Sequence, residues 1–173
     1  MLSLTIHGAR GSIPATGKNF SKYGGNTTCI EIETENSQIF IDAGTGFSLA
    51  NINEGTKAVY LLFTHLHHDH LQGLLFNPQL FTRNREIIVS SALMNGATLK
   101  QYLSKYFSPP FFPPSVFSYV NCLKFSDFEH FIKGCNLDVI VNSISLKHPG
   151  GAIGYSFITG SRKVVIALDN EFD

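Results

Sequence analysis

The sequence predicts a single domain of mixed α/β (α+β) class covering residues 1–173, and three observations carry that expectation. A chain of 173 residues with 43% hydrophobic content is sized to bury one core. The first third alternates apolar and polar residues in short runs separated by Gly, Pro and polar turns, which is strand and hairpin patterning. Later stretches, above all 92–106, place apolar residues at helical spacing.

Charge and cysteine usage narrow the class of partner. Thirteen basic and thirteen acidic residues cancel, so no overall field draws nucleic acid or an anionic membrane, and a polyanionic substrate would have to be held by local charge. A large nucleic acid is therefore not the expected partner. Cys29, Cys122 and Cys135 are odd in number, widely spaced and free of any CxxC, which suits reduced thiols in a cytosol. The opening MLSLTIHGARGS is interrupted at Gly8 and Arg10 before a signal-peptide apolar core could form. No apolar run approaches the roughly 20 residues that span a bilayer. These features together read as a cytoplasmic protein without a membrane partner.

Taken in order, Leu2 to Ile6 forms a first strand, followed by a Gly- and Pro-punctuated loop from Gly8 to Gly17. His7, in that strand, reads as an ordinary surface histidine. Gly24-Gly25-Asn26 permits unusual backbone angles before a second strand, Thr28 to Ile32; Asn26 and Thr27 support either a site or only the turn. Ser37 to Ile41 is the third strand, joined to the second through the polar turn Glu35-Asn36-Ser37 as a hairpin. Asp42-Ala43-Gly44-Thr45-Gly46 follows, in which Asp42 serves either as a turn or capping carboxylate or as an acceptor for an imidazole.

The apolar run Ala58 to Phe63 then delivers the chain into Thr64-His65-Leu66-His67-His68-Asp69-His70. In an extended segment side chains alternate, so His65 and His67 point the same way and can grip one ion together. A turn into a helix would swing Asp69 and His70 to that side, where they can hold a second. Neutral imidazole and carboxylate suit Zn²⁺, with Mn²⁺ and Fe²⁺ as alternatives. His68 falls on the opposite side of the alternation and reads as a surface or supporting residue.

Beyond the cluster, Leu71 to Phe81 predicts a short helix ending before Pro78. Ile87 to Ser90 is a buried strand, and Ala92 to Tyr106 a helix with one apolar face. Pro109-Pro110-Phe111-Phe112-Pro113-Pro114 sets two aromatic rings on a stiff irregular segment. Three readings stand for it: a hydrophobic wall or lid that stacks on a base or aromatic leaving group, a loop tucked against the body, or an aromatic dimer contact. His130, within Phe125 to Phe131, reads as a surface histidine. Leu137 to Leu146 is a strand leading into Lys147-His148, and Gly154 to Thr159 with Lys163 to Leu168 forms the last strand pair.

The histidine motif, with Asp42-Ala43-Gly44-Thr45-Gly46 before it and His148 and Asp169 after it, resembles the metallo-β-lactamase superfamily of metal-dependent hydrolases. Gly8-Ala9-Arg10-Gly11-Ser12-Ile13-Pro14, the run from Tyr23 to Cys29, and His148-Pro149-Gly150-Gly151 resemble the branch of tRNase Z and the cyclic-nucleotide phosphodiesterases. The match runs over nearly the whole chain and implies a four-layer αββα sandwich. It further implies that His65, His67 and His148 hold a first divalent ion, that Asp69 and His70 hold a second, and that Asp169 bridges the two. Asp69 would double as the catalytic group that orients the nucleophile or moves its proton. Two such ions about 3.5–4 Å apart lower the pKa of a bridging water toward roughly 7 and neutralise charge on a phosphodiester under attack. The resemblance favours Asp42 as support for a ligand imidazole. It also sets the Gly8–Gly17 loop at the rim of the cleft, where Arg10 and Ser12 either touch substrate or merely hold the loop.

One departure limits this reading. The superfamily carries a further histidine well beyond the bridging aspartate, whereas this sequence reaches Asp173 four residues after Asp169 with no histidine between. The expectation is thus a sandwich incomplete at its C-terminal side, about two-thirds of the family's domain, with exposed edges that invite a homodimer. Three functional readings follow: a dinuclear hydrolase of a small-molecule or nucleotide phosphodiester, a lactone, thioester or other ester hydrolase on the same metals, or a non-catalytic metal-binding homologue.

Overall fold

The computed structural model describes residues 2–113, 119–134 and 137–171; Pro114, Cys135 and Asp173 lie outside them. Strands β1 (Ser3–Gly8), β2 (Cys29–Glu33), β3 (Ser37–Ile41), β4 (Ala58–Leu62), β5 (Ile87–Ser90) and β6 (Leu123–Phe125) form one sheet in sequence order. Pairing is antiparallel from β1 to β3 and parallel from β3 to β6. A second, antiparallel sheet contains β7 (Ile140–Leu146), β8 (Ala152–Thr159) and β9 (Arg162–Ile166).

The central strands are buried on both faces, which explains why they read as continuous apolar runs. Phe40, Val59, Leu61 and Val89 face a cluster with Phe47, Phe63, Leu74, Leu99, Leu103 and Phe107. Ile39, Ile41, Tyr60 and Leu62, alternating with them, face Phe131, Val141, Tyr155 and Phe157, so the two sheets pack against each other through the second set. Two helices follow β4 and β5 in the chain, α1 (Gln79–Thr82) and α2 (Gly96–Tyr106), and their buried leucines Leu80, Leu99 and Leu103 join the first cluster. A third, α3 (Phe128–Gly134), buries Phe131 in the second. On the outer face of the small sheet Ile140, Ile144 and Val165 are exposed. Among the described residues no helix is long and apolar enough to cross a membrane.

Several sequence expectations are corrected here. Leu71 to Phe81 is not one helix: a 3-10 turn at Leu74–Phe76 is followed by α1, which begins after Pro78 instead of ending before it. Proline lacks an N–H and has a helix-compatible φ, so it starts a helix as readily as it stops one. The helix expected from Ala92 begins at Gly96, because Asn95 caps it by accepting from the Thr98 N–H at 2.8 Å. Strand β6 has too short an apolar run to be read from periodicity. His7 is half-buried, pairing with Glu31 at 2.7 Å and facing the Phe40 ring, so it is not an ordinary surface residue. His130 is exposed on α3, in line with its sequence reading.

Gly44 sits where three segments meet. A Cβ there would lie 2.3 Å from the Asp69 carbonyl oxygen and 2.5 Å from Thr27 Oγ1, both held by the surrounding loops. Gly44→Ala therefore destabilises the fold by about 2–3 kcal/mol, read as a lowered urea midpoint at constant m-value.

Candidate metal centre

The site forms where the parallel pair β3 and β4 ends. Asp42 leaves β3 with φ 61° and is fully buried. It accepts from the Thr64 N–H at 2.8 Å and the Thr64 hydroxyl at 2.7 Å, and lies 2.8 Å from His70 Nδ1. One carboxylate thus ties the end of β4 to the following 3-10 turn, His68–His70. The Thr64 hydroxyl also meets His65 Nδ1 at 3.1 Å, which directs the other ring nitrogen outward. On the far side of the turn, the Ser12 N–H donates to Asp69 Oδ2 at 2.7 Å.

The second sheet brings in the remaining groups. Asp169, beyond β9, places Oδ2 3.3 Å from His70 Nε2, 3.5 Å from His65 Nε2 and 3.8 Å from His148 Nε2. His148 Nε2 lies 3.0 Å from His67 Nδ1, and Asp69 Oδ2 3.6 Å from His70 Nε2. Two donor groups result: His65, His67, His148 and Asp169, and Asp69, His70 and Asp169, each with its ligand atoms within 4.8 Å of one another. Either could hold a metal ion. The Nε2 atoms of His65 and His70 are buried without a hydrogen-bond partner, an arrangement that costs free energy unless a cation takes the lone pairs. Imidazole with carboxylate is also the donor chemistry of Zn²⁺ and related ions.

The electrostatics of the ion-free site oppose one another across the cluster. Burial pushes the His65 imidazole down to about 4, with help from neighbouring His70 and His67. Burial acts the same way on His70, but the Asp42 hydrogen bond and charge, with Asp69 and Asp169 adding to them, outweigh it and raise the group to about 9. The signs can be followed through. Between about 4 and the ordinary histidine value of ~6.5 the unfolded chain holds more protons at His65, so stability falls as pH drops through that window. Between ~6.5 and about 9 the folded chain holds more protons at His70, so stability falls as pH rises. The metal-depleted protein should be most stable near pH 6.5, as measured by urea midpoints across pH 4–9 in chelator.

All six residues expected to converge do so: His65, His67, Asp69, His70, His148 and Asp169 share one cluster. Asp42 stands against His70 as the supporting reading required. Arg10 does not reach the cluster; its Nε donates to the Ile13 carbonyl at 3.2 Å and its guanidinium covers Phe20, so it holds the loop. Asn26 and Thr27 brace turns, the Asn26 carbonyl accepting from the Ala9 and Arg10 N–H groups and Thr27 Oγ1 from the Thr45 N–H. His68 is exposed and meets the Tyr106 hydroxyl. Two contributors escaped the sequence reading. Thr64 was legible only as the residue before the first histidine, and Glu171, whose Oε1 lies 3.5 Å from His148 Nδ1, carried no local pattern.

Comparison with solved structures places this arrangement. The metallo-β-lactamase fold protein YhfI from Bacillus subtilis superposes with a TM-score of 0.63 at 16% identity over 95% of this chain and 61% of its own. The chain has the metallo-β-lactamase fold. Human tRNase Z, short form, gives a TM-score of 0.62 at 16% identity over 96% of this chain and 68% of its own, and unliganded yeast PDE1 gives 0.59 at 14% identity over 90% and 61%. This metallo-β-lactamase-fold chain thus spans about 61% of the length of the first of these structures. No protein-family model matches the sequence, and no curated protein does.

Proposed function

We propose that the chain carries the catalytic centre of a dinuclear metal-dependent hydrolase that cleaves phosphodiesters of small molecules or nucleotides. The observation behind this reading is the position of Asp169 Oδ2, which stands within 3.8 Å of imidazole nitrogens from both donor groups and so suits a carboxylate shared by two neighbouring cations. His65, His67 and His148 would hold one ion, Asp69 and His70 the other, and Asp169 both. Zinc is the favoured metal, given so many imidazoles in the set. When bound, the pair supplies Lewis-acid stabilisation of charge on the attacking and leaving oxygens.

The chain's own groups do the rest. Asp69, steadied through Oδ2 by the Ser12 N–H, takes and relays the proton of the attacking water. Asp42 holds the Nδ1 side of His70 and thereby keeps Nε2 turned into the site. Similarity of fold to a tRNase and to PDE1 supports the phosphodiester over a carboxylic ester. Cys29 and Cys122 are buried and free, which suits the reducing interior of a cell, and we place the enzyme in the cytoplasm.

The test is a panel of bis(p-nitrophenyl) phosphate, cyclic nucleotides, a lactone and a thioester, run on chelator-treated protein before and after Zn²⁺ or Mn²⁺ is returned. Diester turnover that vanishes with chelator and returns with metal is expected. Turnover confined to the lactone or thioester would replace the phosphodiester reading, and none at all would leave a metal-binding homologue.

A further inference from the structure

Beside the histidine cluster lies a cavity that the proposed chemistry does not use. It encloses about 570 Å³ and is lined by His68, Tyr102, Lys105, Tyr106, Phe111 and Phe112. That volume lies within the range of small-molecule sites, and among the described residues its lining is almost wholly aromatic. Phe112 is anchored edge-on to Phe107 with ring centroids 4.8 Å apart, while Phe111 is 82% exposed and Tyr102 51% exposed. Large rings left in water on a rigid helix and a proline-stiffened segment call for a partner. A second cavity of about 440 Å³ shares His68, Tyr106, Phe111 and Phe112 and adds the polar groups of Thr45, Ser48 and Gln72.

His68 joins this pocket to the metal centre. Its chain neighbours are His67 and Asp69, one from each donor group, and consecutive Cα atoms are only about 3.8 Å apart. Its ring turns instead to the Tyr106 hydroxyl and lines the pocket. Lys105, also on the pocket lining, supplies a cation that complements a bound anion.

We propose that this pocket binds the base of a nucleotide substrate, with Tyr102, Phe111 and Phe112 as stacking faces and Lys105 attracting the attached phosphate. The proposal rests on the phosphodiester reading for the identity of the substrate, and it names that substrate as one carrying a nucleobase. Stacking on aromatic rings recognises any base through its π-face, so the site selects for a planar heterocycle and not for its sequence.

The sequence contains no tryptophan, so Phe111→Trp installs a single reporter at an exposed position. Titration of the metal-loaded variant with adenosine, AMP and ribose 5-phosphate should give saturable fluorescence changes with the first two and none with the third. Calorimetry on the unsubstituted protein provides the same comparison without the reporter. Tyr102→Ala should weaken AMP binding about tenfold, with an unchanged circular dichroism spectrum showing that it folds. A short oligoadenylate binding tighter than AMP would assign the base to an RNA end, and the reverse to a mononucleotide. Equal binding of ribose 5-phosphate, or no binding of adenosine and AMP by either method, overturns the proposal. Diester turnover without base binding would remove the pocket alone, whereas base binding without diester turnover would keep the pocket and remove the phosphodiester reading.

Discussion

On the proposed dinuclear phosphodiesterase reading, Asp169→Asn is expected to lower metal-dependent hydrolysis of bis(p-nitrophenyl) phosphate by on the order of 10³-fold and to reduce the ions bound per chain from the proposed two to one or none. Asparagine has nearly the same shape, and the Asp169 side chain is one-third exposed, so the loss is not one of folding. What disappears is the charge of the oxygen that faces His65, His70 and His148 together. Two cations held close together repel strongly, and a shared anion is what offsets that repulsion. Elemental analysis of the dialysed variant alongside kcat/KM checks both halves. Two ions and full turnover in the variant would remove the shared-ligand role of Asp169, and fewer than two ions in the unsubstituted protein would remove the dinuclear reading.

Asp42→Asn has the second largest effect, and it acts at a distance from the substrate. The wild-type carboxylate is fully buried and meets three polar groups, the Thr64 N–H, the Thr64 hydroxyl and His70 Nδ1. An amide can accept through only one of its two ends, so at least one buried donor is left facing an N–H. The cost is about 2–3 kcal/mol of stability. With His70 holding an ion as proposed, metal affinity is expected to fall about 10–100-fold, because the ring is no longer oriented or made more basic by a carboxylate. A purely structural role for Asp42 would change stability and nothing else. The distinguishing measurement is the pH profile of the metal-depleted protein: the decline in stability between pH ~6.5 and 9, which the raised His70 produces, flattens in the variant.

Much of this was legible in the chain. Strands β3, β4 and β5 were read nearly to the residue, because double-sided burial gives unbroken apolar runs with clear ends. The hairpin of β2 and β3 followed from its polar turn. His65, His67, Asp69 and His70 stood out because four donors in six residues after a buried strand are a local pattern, and local patterns survive without coordinates. His148 and Asp169 came only through resemblance to a family, since neither is marked by its neighbours.

What the linear chain could not supply were the relations between distant segments. Asp42 and His70 are 28 residues apart and meet because β3 and β4 run parallel, so that both strands end on the same edge. The position of Asp169 Oδ2 between two donor groups exists only because the small sheet packs on the large one. His68 was assigned to the outside by strand alternation, but its meeting with Tyr106, and with it the aromatic pocket, depends on where α2 lies. The sequence alone determined which residues have metal-binding chemistry, since composition and periodicity are properties of neighbours. The tertiary structure decided which of them share an oxygen, a proton or a cavity, since those contacts arise from the parallel pairing of β3 with β4, the position of α2 and the packing of the two sheets against each other.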